Sequence, residues 1–158
     1  MLVYHGSLEK VVCPKILAPS RTLDYGAGFY TTTSFEQAQK WVARKITAQQ
    51  NGYVNAYEWD EHTTKLQICK FMFPDAAWVE FVMKNRLDKN YAHEYDIVWG
   101  PVANDRVYAA FALFEQDILD IDALIKELRT YKLVDQILFH TEKAVRTLTF
   151  KEAQEIWA

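Results

Sequence analysis

Cysteine, glycine and proline are all scarce in this chain: 2, 5 and 4 of them among 158 residues. The two thiols, Cys13 and Cys69, give neither a disulfide framework nor a metal-ligand spacing, which excludes a small stapled scaffold and points to a reduced, cytoplasmic setting. No tract rich in Pro, Gly or Ser marks a linker, and no internal repeat or low-complexity segment occurs. No run approaches the roughly 18 apolar residues that span a bilayer, and no basic segment leads into an apolar one as in a secretory leader. Positive charge is not in excess either. The formal net charge is −3 and the pI about 5.8, whereas a general nucleic-acid coat is basic. What the chain does have is apolar material. Half its residues are hydrophobic and 15% are aromatic, enough for a core, and residues 1–158 read as a single domain.

The patterning predicts short strands mixed with helices. Residues 2–4 read as a strand, Gly26-Ala27-Gly28 as a turn, and residues 29–33 as β-rich. Ser34 has N-cap chemistry with Gln37 three positions on, and Phe35, Ala38, Trp41 and Val42 follow at helical spacing, with Asn51-Gly52 as the stop. Residues 53–59 and 66–73 read as strands, and Pro74 as the first turn of a helix carrying Trp78, Phe81, Val82 and Asn85. A strand is predicted over 96–100, helices over 105–114 and 122–131, and a strand over 137–141. Residues 142–158 carry both signals. Without regular βαβ alternation, this predicts an α+β fold.

Two stretches carry chemistry. In "LVYHGS", His5 follows the first apolar run, and a neutral imidazole offers one donor and one acceptor to a ribose hydroxyl. Gly6 lets a planar ligand approach the backbone, whose N–H and C=O complement a carboxamide, and Ser7 can add a hydrogen bond. In "DYGAGFYTT", the glycines precede Phe29-Tyr30. Adjacent strand residues face opposite ways, so one aromatic enters the core and the other a cleft or solvent. Trp41 lies about three helical turns beyond Tyr30, on an apolar stripe that would ordinarily be core. Arg21, in the loop before Gly26, can pair with a pyrophosphate, although such an arginine is more often a solvated loop residue.

"YHGS" followed by "DYGAGFYTTTSFEQAQKWV" resembles the nicotinamide-binding half of the diphtheria-toxin-like ADP-ribosyltransferases, which include the poly(ADP-ribose) polymerases. The resemblance implies a split mixed β-sheet with flanking helices, and NAD as co-substrate. It places His5 on the adenosine ribose, the Gly6 backbone on the nicotinamide amide, and Tyr30 and Trp41 on either side of the ring. Trp41 replaces a more usual tyrosine, and Ala38 replaces a serine that bonds the carboxamide. The late "DQILFHTEKAVRTLTF" resembles the segment that carries the family's catalytic glutamate and puts Gln136 in its place, a His-Tyr-Gln triad. The motifs cover roughly the first 45 and last 25 residues, and the layout is similar to a bacterial branch of that superfamily.

Glutamine keeps a hydrogen bond and loses the charge that steadies an oxocarbenium-like ribose. Chain elongation is therefore not expected, whereas transfer of a single ADP-ribose or hydrolysis of NAD is. Glu142, six residues beyond Gln136, and Asp105 in "ANDRV" could supply the charge, although each also reads as a first-turn helix residue. His140 reads as a packed or surface imidazole. The expectation is a mono-ADP-ribosyltransferase acting on a macromolecule (protein or nucleic acid), of toxin or effector type, with a cognate antitoxin or other neutralising protein and no membrane partner. The alternatives are a degenerate domain that binds NAD or ADP-ribose without turnover, and a plain interaction domain with its aromatics in the core.

Overall fold

The glycine-spaced segment and the first apolar run become neighbouring strands of two different sheets. A computed structural model of the chain describes residues 1–18, 23–62 and 65–158. In chain order the elements are β1 (Leu2–Ser7), β2 (Phe29–Thr31), α1 (Phe35–Lys45), β3 (Asn51–Trp59), β4 (Ile68–Lys70), α2 (Ala76–Leu87), β5 (Ile97–Pro101), α3 (Asp105–Glu115), α4 (Ile121–Arg129), β6 (Asp135–Phe139), α5 (Glu142–Val145) and β7 (Leu148–Trp157). One sheet has the order β1-β3-β7, the other β2-β6-β5-β4. Among the described residues, β4 and β5 pair in parallel and the other strand pairings are antiparallel. This is the mixed α+β architecture that the patterning predicts.

Side-chain alternation turns these pieces into layers. Val3, Tyr57 and Trp59 from the first sheet meet Phe29, Ile97, Ile137 and Phe139 from the second. The two sheets thus pack face to face, with Trp59 edge-on to Phe139. The outer face of the first sheet is covered by α1, through Ala38, Val42 and Ile46 against Val54 and Ile156. The outer face of the second carries α2, α3 and α4, with Trp78, Phe81, Phe111, Leu124 and Leu128 around Val98, Leu138 and Tyr25. A register shift between Ala56 and Tyr57 lets β3 serve both sides.

Helix starts follow local chemistry. The Ser34 hydroxyl accepts from the Gln37 amide as the capping signal predicts. Asp75, Asn104 and Asp120 cap α2, α3 and α4 in the same way. Several boundaries differ from the expected ones: the strands expected over 66–73 and 137–141 are β4, Ile68–Lys70, and β6, Asp135–Phe139. Asn51-Gly52 does not stop α1, which ends at Lys45; these residues open β3. Pro74 lies just outside α2, because Asp75 takes the cap. The ambiguous 142–158 stretch resolves into one helical turn capped by Thr141 and then the long strand β7, whose predominantly exposed alternation weakens the strand signal. Among the described residues, no helix is long and apolar enough to cross a membrane.

The sheets are joined at the Tyr4–Thr32 bridge, where each amide bonds the other's carbonyl at 2.8 and 2.9 Å. Asp135 fastens this junction. Its carboxylate accepts from the Thr32 and Thr33 hydroxyls, the Thr33 amide and the Trp99 indole.

Candidate functional site

Beyond the Tyr4–Thr32 bridge β1 and β2 part, and the residues singled out in the sequence gather around the split. Tyr4 bonds toward β2, and backbone polar groups two residues apart share a strand edge. The Gly6 N–H and C=O are therefore turned to the same edge. The His5 peptide is steadied from the opposite side by Asn55. This fully buried amide donates to the His5 and Glu9 carbonyls and accepts from the Val11 amide.

His5 spans the split. Its Nδ1 lies 2.7 Å from the Tyr30 carbonyl oxygen, and its ring packs on Phe29 at 4.4 Å between centroids. A carbonyl only accepts, so Nδ1 carries the proton. Burial lowers the imidazole pKa, against the contribution of that hydrogen bond, so the ring is neutral at pH 7. Nε2 is then a lone-pair acceptor.

Gly6 faces α1. A side chain there would meet the Ala38 carbonyl oxygen at 2.6 Å and the Trp41 ring at 3.2 Å. Ala38 is buried, but Trp41 is 42% exposed. The helical spacing suggested a core tryptophan. Instead its indole lies at the surface next to Gly6, with the Lys45 ammonium 5.7 Å above the ring. The Ser7 hydroxyl accepts from the Glu9 amide in the turn after β1. Arg21 lies outside the described residues.

Phe29 is buried between the sheets, and Tyr30 is half-buried on the opposite face, as alternation requires. Tyr30 meets His5 through its carbonyl and not through its phenol, whose hydroxyl donates to the Gly26 carbonyl. Gly26 has φ +88°, a conformation that favours glycine. Imidazoles hold the same turn: His93 Nε2 lies 3.0 Å from the Tyr25 carbonyl and His140 Nδ1 2.6 Å from that of Ala27.

Gln136 is buried on β6, on the same face of the sheet as Tyr30 and Leu138. Its amide donates toward the Pro101 carbonyl at 3.4 Å, the carbonyl that also accepts from the Tyr25 hydroxyl. Glu142 is exposed in the first turn of α5, beyond the opposite end of β6. Asp105 is exposed in the first turn of α3, behind the Asn104 cap. The fold therefore brings together His5, Gly6, Tyr30, Ala38 and Trp41, sets Gln136 on the face that Tyr30 shares, and leaves Glu142 and Asp105 elsewhere.

Asp24 is the residue the sequence reading passed over. Its side chain is 14% exposed, accepts from the Tyr108 hydroxyl and lies 3.5 Å from Arg86. The Arg86 guanidinium stacks on Tyr108 at 4.4 Å. Burial raises the Asp24 pKa against these partners. The available signal was its place directly before Tyr25 and the glycine turn.

The chain belongs to the family described as "Protein of unknown function (DUF3990)", which matches residues 1–150. No curated protein and no solved structure matches it.

Proposed function

We propose that the protein is an NAD-dependent mono-ADP-ribosyltransferase, with the nicotinamide riboside end of NAD held where β1 and β2 part. One observation carries the reading: the Gly6 peptide edge, the neutral His5 acceptor and the exposed Trp41 indole lie together beside the Tyr4–Thr32 bridge between the two sheets. Each fits its share of the ligand. A carboxamide takes the N–H and C=O of one peptide, a hydroxyl of the adenosine ribose donates to His5 Nε2, and a pyridinium ring stacks on an indole. The division into two sheets that meet at the Tyr4–Thr32 bridge is compatible with the split-sheet arrangement that the resemblance implies.

The chemistry asked of the chain is modest. The bond from ribose C1′ to the pyridinium nitrogen breaks, and its electron pair leaves with neutral nicotinamide. Positive charge develops on the ribose, as in glycoside cleavage. An acceptor oxygen or nitrogen then bonds C1′ and gives up a proton. The chain positions the ring and sugar, and the acceptor is a macromolecule, or water in simple hydrolysis. A toxin or effector role with a neutralising partner protein follows from the same resemblance.

The test is incubation of the purified chain with NAD, with chromatographic measurement of free nicotinamide. Release that His5→Ala removes supports the reading. Trp41→Ala is the sharper variant, because the indole is already exposed and its loss costs the fold little. NAD affinity should fall about tenfold with melting unchanged, the worth of one stacking contact. No release and no NAD-dependent rise in melting temperature would overturn the reading. A second reading, binding of NAD or ADP-ribose without turnover, draws on the uncharged Gln136. Calorimetric binding without nicotinamide release would establish it.

A further inference from the structure

Helix α1 is held by both sheets, and one carboxylate ties its first turn to the second of them. We propose that Asp135 is a positioning residue of the site: through Thr32 and Ser34 it fixes where α1 begins, and so how closely Trp41 stands to Gly6. This rests on the transferase reading, in which Trp41 and the Gly6 peptide hold the nicotinamide ring. Asp135 acts on the ligand only through that aromatic wall, by setting the width of the slot.

Each link is direct. The Trp99 indole from β5 donates to Asp135 Oδ2 at 2.9 Å, and the Thr33 amide and the Thr32 hydroxyl donate to Oδ1 at 2.9 and 3.0 Å. The Thr32 oxygen accepts in turn from the Ser34 amide at 3.1 Å, and the Ser34 hydroxyl accepts from the Gln37 amide inside α1 at 3.1 Å. Phe35, the first helical residue, meets Tyr4 of the inter-sheet bridge edge-on at 5.5 Å. The body of α1 lies on the other sheet, with the Ala38 carbonyl and the Trp41 ring against Gly6. Trp41 follows Phe35 by six residues, about 9 Å of helix, so a tilt at the start is carried to the indole. The local demand is for a carboxylate. Thr33 and Trp99 offer fixed N–H donors to two different oxygens. Asparagine has a single oxygen and would turn its own NH2 toward one of them. A gap of about 0.5–1 Å at the indole forfeits roughly a quarter to a half of its contact with a ligand ring.

The experiment measures NAD dissociation constants by calorimetry for the purified wild type, Asp135→Asn, Trp41→Ala and the double variant. Asp135→Asn should weaken NAD about threefold, half of the stacking energy. In the Trp41→Ala background, where the wall is already gone, it should weaken NAD by less than about 1.5-fold, because residues that act through one another are not additive. A carboxylate that served the fold alone would give equal affinity losses in the two backgrounds. Equal losses, or an Asp135→Asn affinity within about 1.5-fold of wild type, overturn the role of Asp135. Thr32→Val cuts the relay to Ser34 and keeps the backbone bridge to Tyr4. It should repeat both results, and it decides the question by the same limits if Asp135→Asn does not fold. A wild-type chain that binds no NAD overturns the transferase reading and this inference with it, whereas NAD binding by wild type with additive losses overturns this inference alone.

Discussion

Gly6→Val will lower the folding stability by about 3 kcal/mol, the upper end of what overpacking a close contact costs. A Cβ at this position would lie 2.6 Å from the Ala38 carbonyl oxygen, a backbone atom that cannot rotate aside. The Val42 methyl, at 3.1 Å, and the Trp41 ring, at 3.2 Å, close the remaining directions. The strain cannot be relieved along the neighbouring strand either. Gly52 on β3 meets the same helix, with the Val42 side chain 2.5 Å from its missing Cβ. Helix α1 thus rests on two glycines from adjacent strands, and a side chain on either must lift it. Lifting α1 also moves Trp41 away from the Gly6 peptide, so NAD binding should vanish along with stability. For a chain of this size the melting temperature should drop by roughly 6–12 °C, read by calorimetry or circular dichroism. A valine variant melting within about 2 °C of wild type would mean that α1 does not approach β1 this closely.

Much of this architecture was legible because it is local. Ser34 with Gln37 announces a helix start by hydrogen-bond chemistry alone, and the structure makes that bond. Phe29-Tyr30 had to divide between two faces of a strand, and they do. The parts that were not legible are long-range. Nothing local in "WVARK" shows that Trp41 leaves the apolar stripe, because its exposure depends on where α1 lands on two glycines from separate strands. Asp24 reads as an ordinary turn residue until α2 and α3 bring Arg86 and Tyr108 to it. Glu142 is six residues from Gln136, yet β6 first carries the chain about 10 Å from Gln136 to its other end at Phe139, and Glu142 lies beyond that end in α5. The register of Gln136 shows the same dependence. Pairing of Tyr30 with Leu138 sets Gln136 on the Tyr30 face, and no pattern within "DQILF" specifies that partner.

Acidification from pH 7.5 to pH 5 should remove about 2 kcal/mol of stability, and His140 should account for most of it. His140 Nδ1–H donates to the Ala27 carbonyl, while Nε2 is buried without a hydrogen-bond partner. Protonating Nε2 would bury an unpaired cationic N–H, so burial lowers the pKa from 6.5 to about 4, helped by the His93 ring 4.4 Å away. His93 is lowered by burial as well. Its Nε2 faces the Tyr25 carbonyl and its Nδ1 accepts from the Tyr95 amide, which a second ring proton would oppose. His5 is the third lowered imidazole. A folded-state pKa below the unfolded value means that the fold holds the neutral form. The contribution is therefore complete above about pH 6.5 and is lost as pH falls toward each lowered value. For His140 the interval from 6.5 to about 4 is worth at most roughly 3 kcal/mol. Asp24 works in the opposite sense. Its raised pKa means that the folded chain takes up that proton first, which offsets part of the loss. Denaturant titrations at the two pH values measure the sum. His140→Gln should be less stable than wild type at pH 7.5 and should show a visibly shallower decline toward pH 5, because glutamine has no charged form to penalise. Equal wild-type stabilities at the two pH values would mean that the turn before Phe29 is open to water and is not held by buried neutral imidazoles. Since this turn also carries Asp24 and the Gly26 carbonyl that anchors Tyr30, the acid range in which the fold loosens should also be the range in which the site is lost.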